Sequence, residues 1–387
     1  MAKEIGVGMI GYGFMGKAHS NGWRQVARFF DVPYTPVLKT ICGRNKQAAA
    51  AAAKQFGWQK AQTDWKKVIK DPDIHIIDIC TPGNEHRPMA IAALHAGKHV
   101  VCEKPLANSL AEAREMVAAA KKSGKRTLTA FNYRRVPAIA LAKKMIEEGK
   151  IGEIYHWRAV YLQDWIMDPN FPLVWRLRKE VAGSGPHGDL NAHITDLARH
   201  LVGEISEVVG MKKTFIEERP IQEAVSGGLG AKAGRRKGKV TVEDAFLFLA
   251  RFDNGALGSF EATRFAGGRK NYNSFEINGS KGSIVFNLER LNELQYCDLT
   301  EKDGRLKGFR TIICNEASQP YNEAWWPSGH IIGWEHTFTH EFKDFLEAVR
   351  RGRDTQPNFE DGMKTQAVLE AAMASAEKGT WVKVASL

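Results

Sequence analysis

The segment IGVGMIGYGFMG, residues 5–16, decides the fold of this chain. Its first half is a short apolar run typical of a buried strand, and its second half is the glycine pattern GxGxxG. Gly11 permits a tight turn, Gly13 lets the backbone approach a pyrophosphate, and Gly16 lets the following helix lie close to the strand. The N-terminus of that helix supplies amide groups and a favourable dipole for phosphate. Strand, glycine turn and helix in this order predict the start of a dinucleotide-binding domain.

The pattern continues as short apolar runs alternating with helical stretches up to about residue 130. We expect strands at 5–10, 37–42, 74–80, 99–102 and 128–131, and helices at 16–29, 45–56, 64–69, 86–96 and 109–123. This alternation predicts an α/β Rossmann domain over residues 1–130, with a doubly wound, mainly parallel sheet.

The rest of the chain, residues 131–387, has a different texture in which strand-like segments dominate. We expect strands at 154–163, 208–216, 245–252, 256–264, 272–278, 282–286, 293–297 and 309–314, and helices at 138–148, 192–201, 335–350 and 362–377. Hairpin turns such as Asp253-Asn254-Gly255 separate several strands. The pattern predicts a second domain with a largely antiparallel sheet and helices packed around it.

Composition narrows the class of protein. Hydrophobic residues make up 43% and charged residues 26%, the balance of an ordinary globular protein. No stretch approaches the roughly 18 apolar residues of a membrane span, and the start lacks the apolar core of a signal peptide, so we expect a cytoplasmic protein without membrane contact. The five cysteines are widely spaced in apolar runs, which predicts buried free thiols and no cysteine-based metal site.

The chain is basic, with 55 Lys and Arg against 44 Asp and Glu and a net charge of +11. The one dense basic run, residues 235–239, follows a glycine-rich stretch and is predicted to be a solvated loop. No nucleic-acid reading motif accompanies the charge, so we do not predict a nucleic-acid partner.

The end of the second predicted strand bears on the choice of cofactor. A carboxylate there would bind the ribose hydroxyls of NAD and repel the 2'-phosphate of NADP. The sequence has Gly43 and Arg44 instead; glycine leaves room and the guanidinium suits a phosphate, which favours NADP(H) over NAD(H). Arg44 would equally well stack on the adenine of NAD(H), so both cofactors stay open.

Two further motifs end neighbouring predicted strands: TPGNEH at 81–86 and CEKP at 102–105. Ligands bind at the carboxyl ends of parallel strands, so both motifs should face the cofactor. Lys104 is held between a strand and a proline and is thus a positioned cation. The residues predicted to bind the cofactor are Gly11, Gly13, Phe14, Met15, Gly16, Gly43, Arg44, Thr81, Pro82, Asn84, His86, Glu103 and Lys104.

Together with NYR at 132–134, WR at 175–176, GSG at 183–185 and DLNAHITDL at 189–197, these motifs resemble the glucose-fructose oxidoreductase, inositol dehydrogenase and MocA (Gfo/Idh/MocA) family. The resemblance covers nearly the whole chain. The sequence departs from the family where Asn191 replaces a usual glycine and where PHG at 186–188 replaces a small apolar run.

The resemblance implies a Rossmann domain followed by an α+β domain, here residues 131–387, with a large open, mainly antiparallel sheet used for substrate binding and oligomerisation, whose last helices can pack back on the first domain. In the family this sheet often forms dimer or tetramer contacts, so we expect a homo-oligomer. It also implies a catalytic lysine, aspartate and histidine at Lys104, Asp189 and His193. Residues four apart share one helix face, which agrees with the spacing of Asp189 and His193. We expect His193 to be the general base, Lys104 to stabilise the developing alkoxide, and Asp189 to orient the alcohol and pair with the cations.

A mixture of polar and aromatic residues suits a carbohydrate or cyclitol, because sugars present both hydroxyls and C–H faces. The candidate substrate contacts are Lys104, Tyr133, Arg134, Trp175, Arg176, His187, Asn191, His193 and His330. Trp325 and Trp326 are more typical of a core or interface. We expect the long aromatic segment 315–333 to fold over the active-site mouth.

His336 and His340 are also four apart, but Thr337 stands where a zinc protease places its glutamate, so no metal is predicted. The sequence therefore predicts an NAD(P)-dependent oxidoreductase that interconverts a secondary hydroxyl and a ketone on a sugar, glycoside, anhydrosugar or inositol. Two alternatives stay open: redox-neutral glycoside cleavage with tightly bound NAD(H) through a transient keto-sugar, and a non-catalytic nucleotide sensor.

Overall fold

The structure, a computed structural model, describes residues 3–225 and 231–386. Contacts divide the described chain into two units. The first comprises residues 3–132 and 335–366, and the second comprises 133–225, 231–334 and 367–386.

The first unit contains a six-stranded sheet in which every pair of neighbours is parallel. Its strands are β1 (Lys3–Ile10), β2 (Tyr34–Cys42), β3 (Lys60–Gln62), β4 (Ile76–Ile79), β5 (His99–Cys102) and β6 (Thr127–Thr129). The spatial order β3-β2-β1-β4-β5-β6 is that of a dinucleotide-binding sheet, which confirms the predicted doubly wound α/β fold. The sequence did not reveal β3, because its three residues carry no apolar pattern.

Helices connect these strands and bury their apolar faces on the sheet. They are α1 (Phe14–Phe29), α2 (Lys46–Phe56), α3 (Trp65–Lys70), α4 (His86–His95) and α5 (Leu110–Ser123). Asn45 begins α2 because its side chain accepts a hydrogen bond from the amide of Ala48, and Gly57 ends it in a left-handed conformation with φ +81°.

The second unit is built on a nine-stranded sheet with the order β16-β15-β14-β13-β7-β12-β11-β8-β17. All neighbours are antiparallel except β7 and β12, so the predicted open, mainly antiparallel sheet is confirmed. Strands of this unit are β7 (Ile154–Leu162), β8 (Ile205–Lys213), β9 (Glu218–Val225), β10 (Ala231–Lys239), β11 (Ala245–Phe252), β12 (Leu257–Thr263), β13 (Tyr272–Gly279), β14 (Gly282–Asn287), β15 (Glu293–Asp298), β16 (Arg310–Ile313) and β17 (Val382–Lys383).

The prediction of a loop at residues 235–239 is wrong. This basic run lies in β10, which pairs with β9 in a separate two-stranded sheet. The basic side chains of the run are exposed, as expected, but regular pairing of the backbone was hidden because glycine and lysine are depleted in ordinary strands.

The helices of the second unit are α6 (Pro137–Glu147), α7 (Lys179–Ala182) and α8 (Ala192–Leu201), and a π-helical turn, His187–Asn191, leads directly into α8. Alternation along β11 directs Phe246 and Phe248 into the core and leaves Leu247 and Leu249 exposed. One face of the sheet is thereby covered by the helices, and the other carries exposed apolar side chains.

Two long helices, α9 (His336–Arg351) and α10 (Phe359–Lys378), follow β16 in the sequence and precede β17. All five cysteines are free thiols, as predicted; three are buried, and Cys80 and Cys297 are partly exposed. Within residues 3–225 and 231–386, no helix combines the length and the apolar character needed to cross a bilayer.

Candidate active site

The glycine loop follows β1 at the centre of the parallel sheet, where the strand order reverses between β1 and β4. Gly11 has φ +107°, and a Cβ there would lie 2.5 Å from the carbonyl oxygen of Cys80. A Cβ on Gly16 would lie 2.2 Å from the carbonyl oxygen of Gly11, so close contact of helix and strand requires both glycines. The roles that the sequence predicted for these two glycines agree with this packing.

Gly13 differs from the other two glycines, because a Cβ there would meet nothing within 4 Å. Gly13 is also the N-cap of α1 and has no side chain with which to cap that helix end. The open approach and the helix N-terminus fit the pyrophosphate of a dinucleotide. Phe14 is 49% exposed, and Met15 beside it is partly exposed.

The end of β2 is shaped by an aromatic ring that the sequence analysis missed. A Cβ on Gly43 would lie 1.9 Å from the Tyr12 ring, so glycine is needed here for that ring to pack. The space expected beside Gly43 is therefore taken by Tyr12. Arg44 is exposed and can reach a ligand from the surface.

His86 connects the two cofactor motifs. Its Nε2 lies 2.9 Å from the carbonyl oxygen of Thr81, and its Nδ1 lies 3.0 Å from that of Pro105. The side chain is 1% exposed, and burial lowers the pKa of its imidazole. His86 thus connects the turn at Thr81 to the turn at Pro105 through its buried ring, and any contribution of its side chain to cofactor binding is indirect. Thr81, Pro82 and Asn84 are partly exposed at the first turn.

The second turn carries Lys104, which is half-buried and joined to Pro105 by a cis peptide bond. Glu103 points inward and is 4% exposed. One of its carboxylate oxygens accepts a hydrogen bond from the amide of Lys104, at 3.0 Å. Glu103 therefore supports the lysine backbone from inside the unit.

In the second unit, Asp189 lies on the π-helical turn and His193 in the first turn of α8. Arg264 donates from Nη2 to the Asp189 carboxylate at 2.6 Å. The Arg264 side chain is 1% exposed while that of Asp189 is 34% exposed. The guanidinium also lies 5.3 Å from the ring centroid of Trp165, so it is fixed on two sides and anchors a carboxylate that solvent can reach.

His193 is 6% exposed and is walled by two tyrosine rings. The ring centroids of Tyr133 and Tyr161 lie 4.4 Å and 5.8 Å from the imidazole. The two phenol oxygens are 2.8 Å apart, and Tyr161 donates to Asn271 Oδ1 at 2.8 Å, which leaves Tyr133 to donate to Tyr161. Burial raises the pKa of both phenols, so they remain protonated donors beside the imidazole.

Four residues near His193 and Asp189 were not found from the sequence: Tyr161, Gln163, Arg264 and Asn271. Gln163 donates to the same Asn271 oxygen at 2.9 Å. Tyr161 lies on β7 and Gln163 directly follows it, while Arg264 and Asn271 lie in the connection between β12 and β13. Nothing in their local sequence marks them as functional.

Three predicted substrate residues lie in the interior instead. His187 is 2% exposed and stacks on Phe246 at a centroid distance of 3.7 Å. Its Nε2 lies 2.7 Å from the Leu369 carbonyl oxygen, and its Nδ1 lies 3.1 Å from the amide nitrogen of Asn191. Since both ring nitrogens are engaged and Asn191 is also buried, the substrate role predicted for these two residues is withdrawn.

Arg134 is the third of these residues. Its guanidinium makes two hydrogen bonds of 2.8 Å and 2.5 Å to the carboxylate of Asp196, and both side chains are almost fully buried. Asp196 lies on α8, three residues after His193. The pair therefore anchors the helix that carries the candidate base, and Arg134 is removed from the substrate contacts.

Other predicted residues lie nearer the surface. The Arg176 guanidinium stacks over the Trp175 ring at 4.3 Å, on a short turn. His330 is exposed within segment 315–333, with Nδ1 2.8 Å from the Pro327 carbonyl oxygen. Just after that segment, Trp334 is partly buried against the hydrophobic core that includes Tyr133 and Tyr161. The end of the segment, with the buried Ile332, packs on the same core.

The two histidines of α9 belong to the first unit. His340 is fully buried, with its ring 5.7 Å from that of Phe30. His336 Nδ1 lies 3.4 Å from the Glu335 carboxylate.

Comparison with known proteins agrees with this arrangement. Residues 5–131 match the family model described as an oxidoreductase family with an NAD-binding Rossmann fold, and residues 139–285 match the GFO/IDH/MocA C-terminal domain. This chain belongs to the Gfo/Idh/MocA family of oxidoreductases. The resemblance inferred from the motifs is thereby confirmed.

Two kinds of relatives illustrate the match. The levoglucosan dehydrogenase of Pseudarthrobacter phenanthrenivorans is 47% identical over 386 residues, covering 99% of this chain and 98% of the relative. A solved oxidoreductase domain protein from Kribbella flavida is 52% identical with a TM-score of 0.94, covering 99% and 100% of the two chains. A levoglucosan dehydrogenase solved with NADH and levoglucosan is 46% identical with a TM-score of 0.93, covering 99% and 100%.

The predictions of a nicotinamide cofactor and of an oxidoreductase acting on hydroxyl groups of sugars and related polyols are confirmed by these relatives.

Proposed function

We propose that this family member oxidises a secondary hydroxyl of a compact cyclic sugar, with an anhydrosugar as the first candidate. The observation that carries the proposal is the buried imidazole of His193 beside the hydrogen-bonded hydroxyls of Tyr133 and Tyr161. Aromatic faces suit the C–H surfaces of a sugar ring, while the phenols and Asp189 suit its hydroxyls. The similarity to levoglucosan dehydrogenase over 99% of the chain supports the same substrate class.

The chemistry assigns one task to each residue. His193 accepts the proton of the substrate hydroxyl, because a positioned imidazole is the commonest general base in such proton transfers. Lys104 stabilises the alkoxide that develops on the substrate oxygen, and Asp189, held by Arg264, orients the alcohol. A nicotinamide dinucleotide held at the glycine loop would supply the hydride acceptor for the substrate carbon. We retain Tyr133, Trp175, Arg176 and His330 as proposed substrate contacts.

The glycine loop and the two turns are proposed to bind NAD(P)(H). The preference for NADP(H) now rests on the exposed Arg44, because Tyr12 occupies the space beside Gly43. The NADH in the levoglucosan dehydrogenase structure supports NAD(H) instead. The ratio of kcat/KM values for NAD and NADP decides between them: an Arg44→Ala variant should lose activity chiefly with NADP if the guanidinium binds its phosphate.

The decisive experiment follows nicotinamide absorbance with purified protein, NAD or NADP, and a panel of levoglucosan, other anhydrosugars, free sugars, inositols and glycosides. Reduction with the anhydrosugars at the highest kcat/KM supports the proposal, and reduction with another class alone contradicts it. Glycoside consumption without cofactor reduction would support redox-neutral cleavage.

Variants test the assigned roles. His193→Ala and Lys104→Ala should each lower kcat by about a hundredfold or more while dinucleotide binding, followed by NADH fluorescence, survives. His95→Ala, an exposed histidine on α4, is the matched control and should keep full activity. Near-normal turnover of His193→Ala or of Lys104→Ala would show that the substituted residue has no part in the mechanism.

The exposed apolar face of the nine-stranded sheet supports a homo-oligomer. Leu247, Leu249 and Leu257 are 39%, 53% and 51% exposed on neighbouring strands of this sheet. We propose a dimer or tetramer, which light scattering would show and which Leu249→Lys would weaken. The five free thiols suit a reducing compartment, so a cytoplasmic location is proposed as well, testable by cell fractionation.

A further inference from the structure

A cluster of buried charged residues links the cofactor-binding helix to the strand end that carries Lys104. His19 on α1 is 0% exposed and lies between two carboxylates. Its Nδ1 lies 3.0 Å from both oxygens of Asp78 on β4, and its Nε2 lies 2.9 Å from an oxygen of Glu103. All of these residues belong to the first unit.

The surroundings of His19 favour its protonated form. Its ring nitrogens face the carboxylates of Asp78 and Glu103, so an imidazolium can donate to both and is stabilised by two negative charges in contact. Burial lowers the pKa of His19, but the charges and hydrogen bonds of Asp78 and Cys80 together outweigh burial and raise this pKa well above its ordinary value. His19, Asp78 and Cys80 lie within metal-ligand distances of one another, but an imidazolium has no lone pair for a metal.

The surroundings hold His19 in one position. Asp78 accepts a further hydrogen bond from the indole of Trp23, at 2.7 Å. The rings of Phe338 and Phe342 lie 5.1 Å and 5.3 Å from the imidazole. A side chain bound by charge at both nitrogens and packed between rings has little freedom to change rotamer.

The cluster reaches the proposed catalytic turn through Glu103. One Glu103 oxygen accepts from His19, and the other accepts from the backbone amide of Lys104 at 3.0 Å. A continuous chain of hydrogen bonds therefore runs from α1, whose N-terminus follows the glycine loop, to the backbone of Lys104.

We propose that His19 is a positioning residue for Lys104: as a cation held between Asp78 and Glu103, it orients Glu103 and thereby places the Lys104 backbone relative to the dinucleotide-binding helix. The inference rests on the proposed function, since it assumes that Lys104 acts on the substrate oxygen. It predicts that His19 affects turnover only through Lys104.

The test is a double-mutant cycle on the full-length protein with its best substrate from the panel. His19→Gln keeps a side chain of similar length but cannot donate to both carboxylates as an imidazolium. We expect kcat to fall by about 10- to 100-fold, as for a small displacement of a catalytic group, while the NADH dissociation constant changes by no more than about threefold. His95→Gln, an exposed histidine of α4, is the control and should change neither value.

The cycle separates positioning from general damage to the fold. In a Lys104→Ala background, adding His19→Gln should change kcat by less than about threefold, because the group that His19 positions is already gone. A full additional 10- to 100-fold loss in that background would overturn the proposal, as would wild-type turnover of the single His19→Gln variant.

The outcomes also distinguish this inference from the proposed function. Near-normal turnover of Lys104→Ala would refute the role of Lys104 and, with it, the positioning role of His19. A low turnover of Lys104→Ala with normal turnover of His19→Gln would refute the positioning role alone. If His19→Gln does not fold, Glu103→Gln in the same two backgrounds decides, with Glu115→Gln on α5 as the exposed control.

Discussion

His187 contributes to the acid sensitivity of the second unit, and a single substitution should remove that contribution. Its imidazole is buried against Phe246, donates from Nε2 to the Leu369 carbonyl and accepts at Nδ1 from the Asn191 amide. A proton on Nδ1 would face that amide donor inside a hydrophobic core. Burial accordingly lowers the pKa of His187 to about 4.

The magnitude follows from linkage. In the unfolded chain the imidazole titrates near pH ~6.5. Below that value the unfolded state therefore binds a proton that the folded state does not bind. The stability from a neutral His187 is complete above pH ~6.5 and is lost as pH falls toward the folded pKa of about 4. Between pH 7.5 and 5 this one residue should cost about 2 kcal/mol of unfolding free energy, at about 1.4 kcal/mol per unit.

The assay compares wild type with His187→Gln by urea unfolding at several pH values, followed by tryptophan fluorescence. Glutamine can donate to Leu369 and accept from Asn191 but does not titrate, so its unfolding free energy should fall by about 2 kcal/mol less over this range. His95→Gln, an exposed control on α4, should lose the same unfolding free energy over this pH range as wild type. Equal losses in wild type and His187→Gln would refute the assignment of a buried neutral imidazole.

Three further substitutions probe packing and charge. Gly16→Val should lower the unfolding free energy by about 1–3 kcal/mol and weaken NADH binding, because a Cβ there lies 2.2 Å from a backbone carbonyl; thermal melting and NADH titration measure both. Arg134→Leu should cost about 3–5 kcal/mol by stranding the buried Asp196 carboxylate, and adding Asp196→Asn should recover much of the loss in urea unfolding. Arg264→Met should cost at most about 1 kcal/mol, because its partner Asp189 is 34% exposed, yet should lower kcat about tenfold in the absorbance assay.

The cofactor half of the molecule was largely predictable from the sequence. The glycine pattern, the motif ending at Lys104 and the alternation of strands and helices are local features, and the sheet order agrees with them. The basic segment 235–239 shows the limit of local signals, because its strand exists only through pairing with β9. Edge pairing of this kind depends on a partner strand rather than on the propensity of the segment itself.

Residue type alone could not separate binding residues from structural ones. His187 and Arg134 have the chemistry of ligand contacts, yet in the interior they form hydrogen bonds to Leu369 and Asp196. Conversely, Tyr161 looked like an ordinary strand residue and came to lie beside His193. Burial decides between these outcomes, because a buried polar group must find its partners within the protein.

The sequence by itself determined the glycine turn, the helix-spaced Asp189 and His193, and the alternation of the sheet strands, since each depends on neighbours within a few residues. Only the tertiary structure joined Arg264 to Asp189, 75 residues away, and His19 to Asp78 and Glu103, 59 and 84 residues away. Such contacts depend on the order of the strands in the sheet and on which strand faces are buried. The local spacing of the residues concerned predicts neither the strand order nor the buried face.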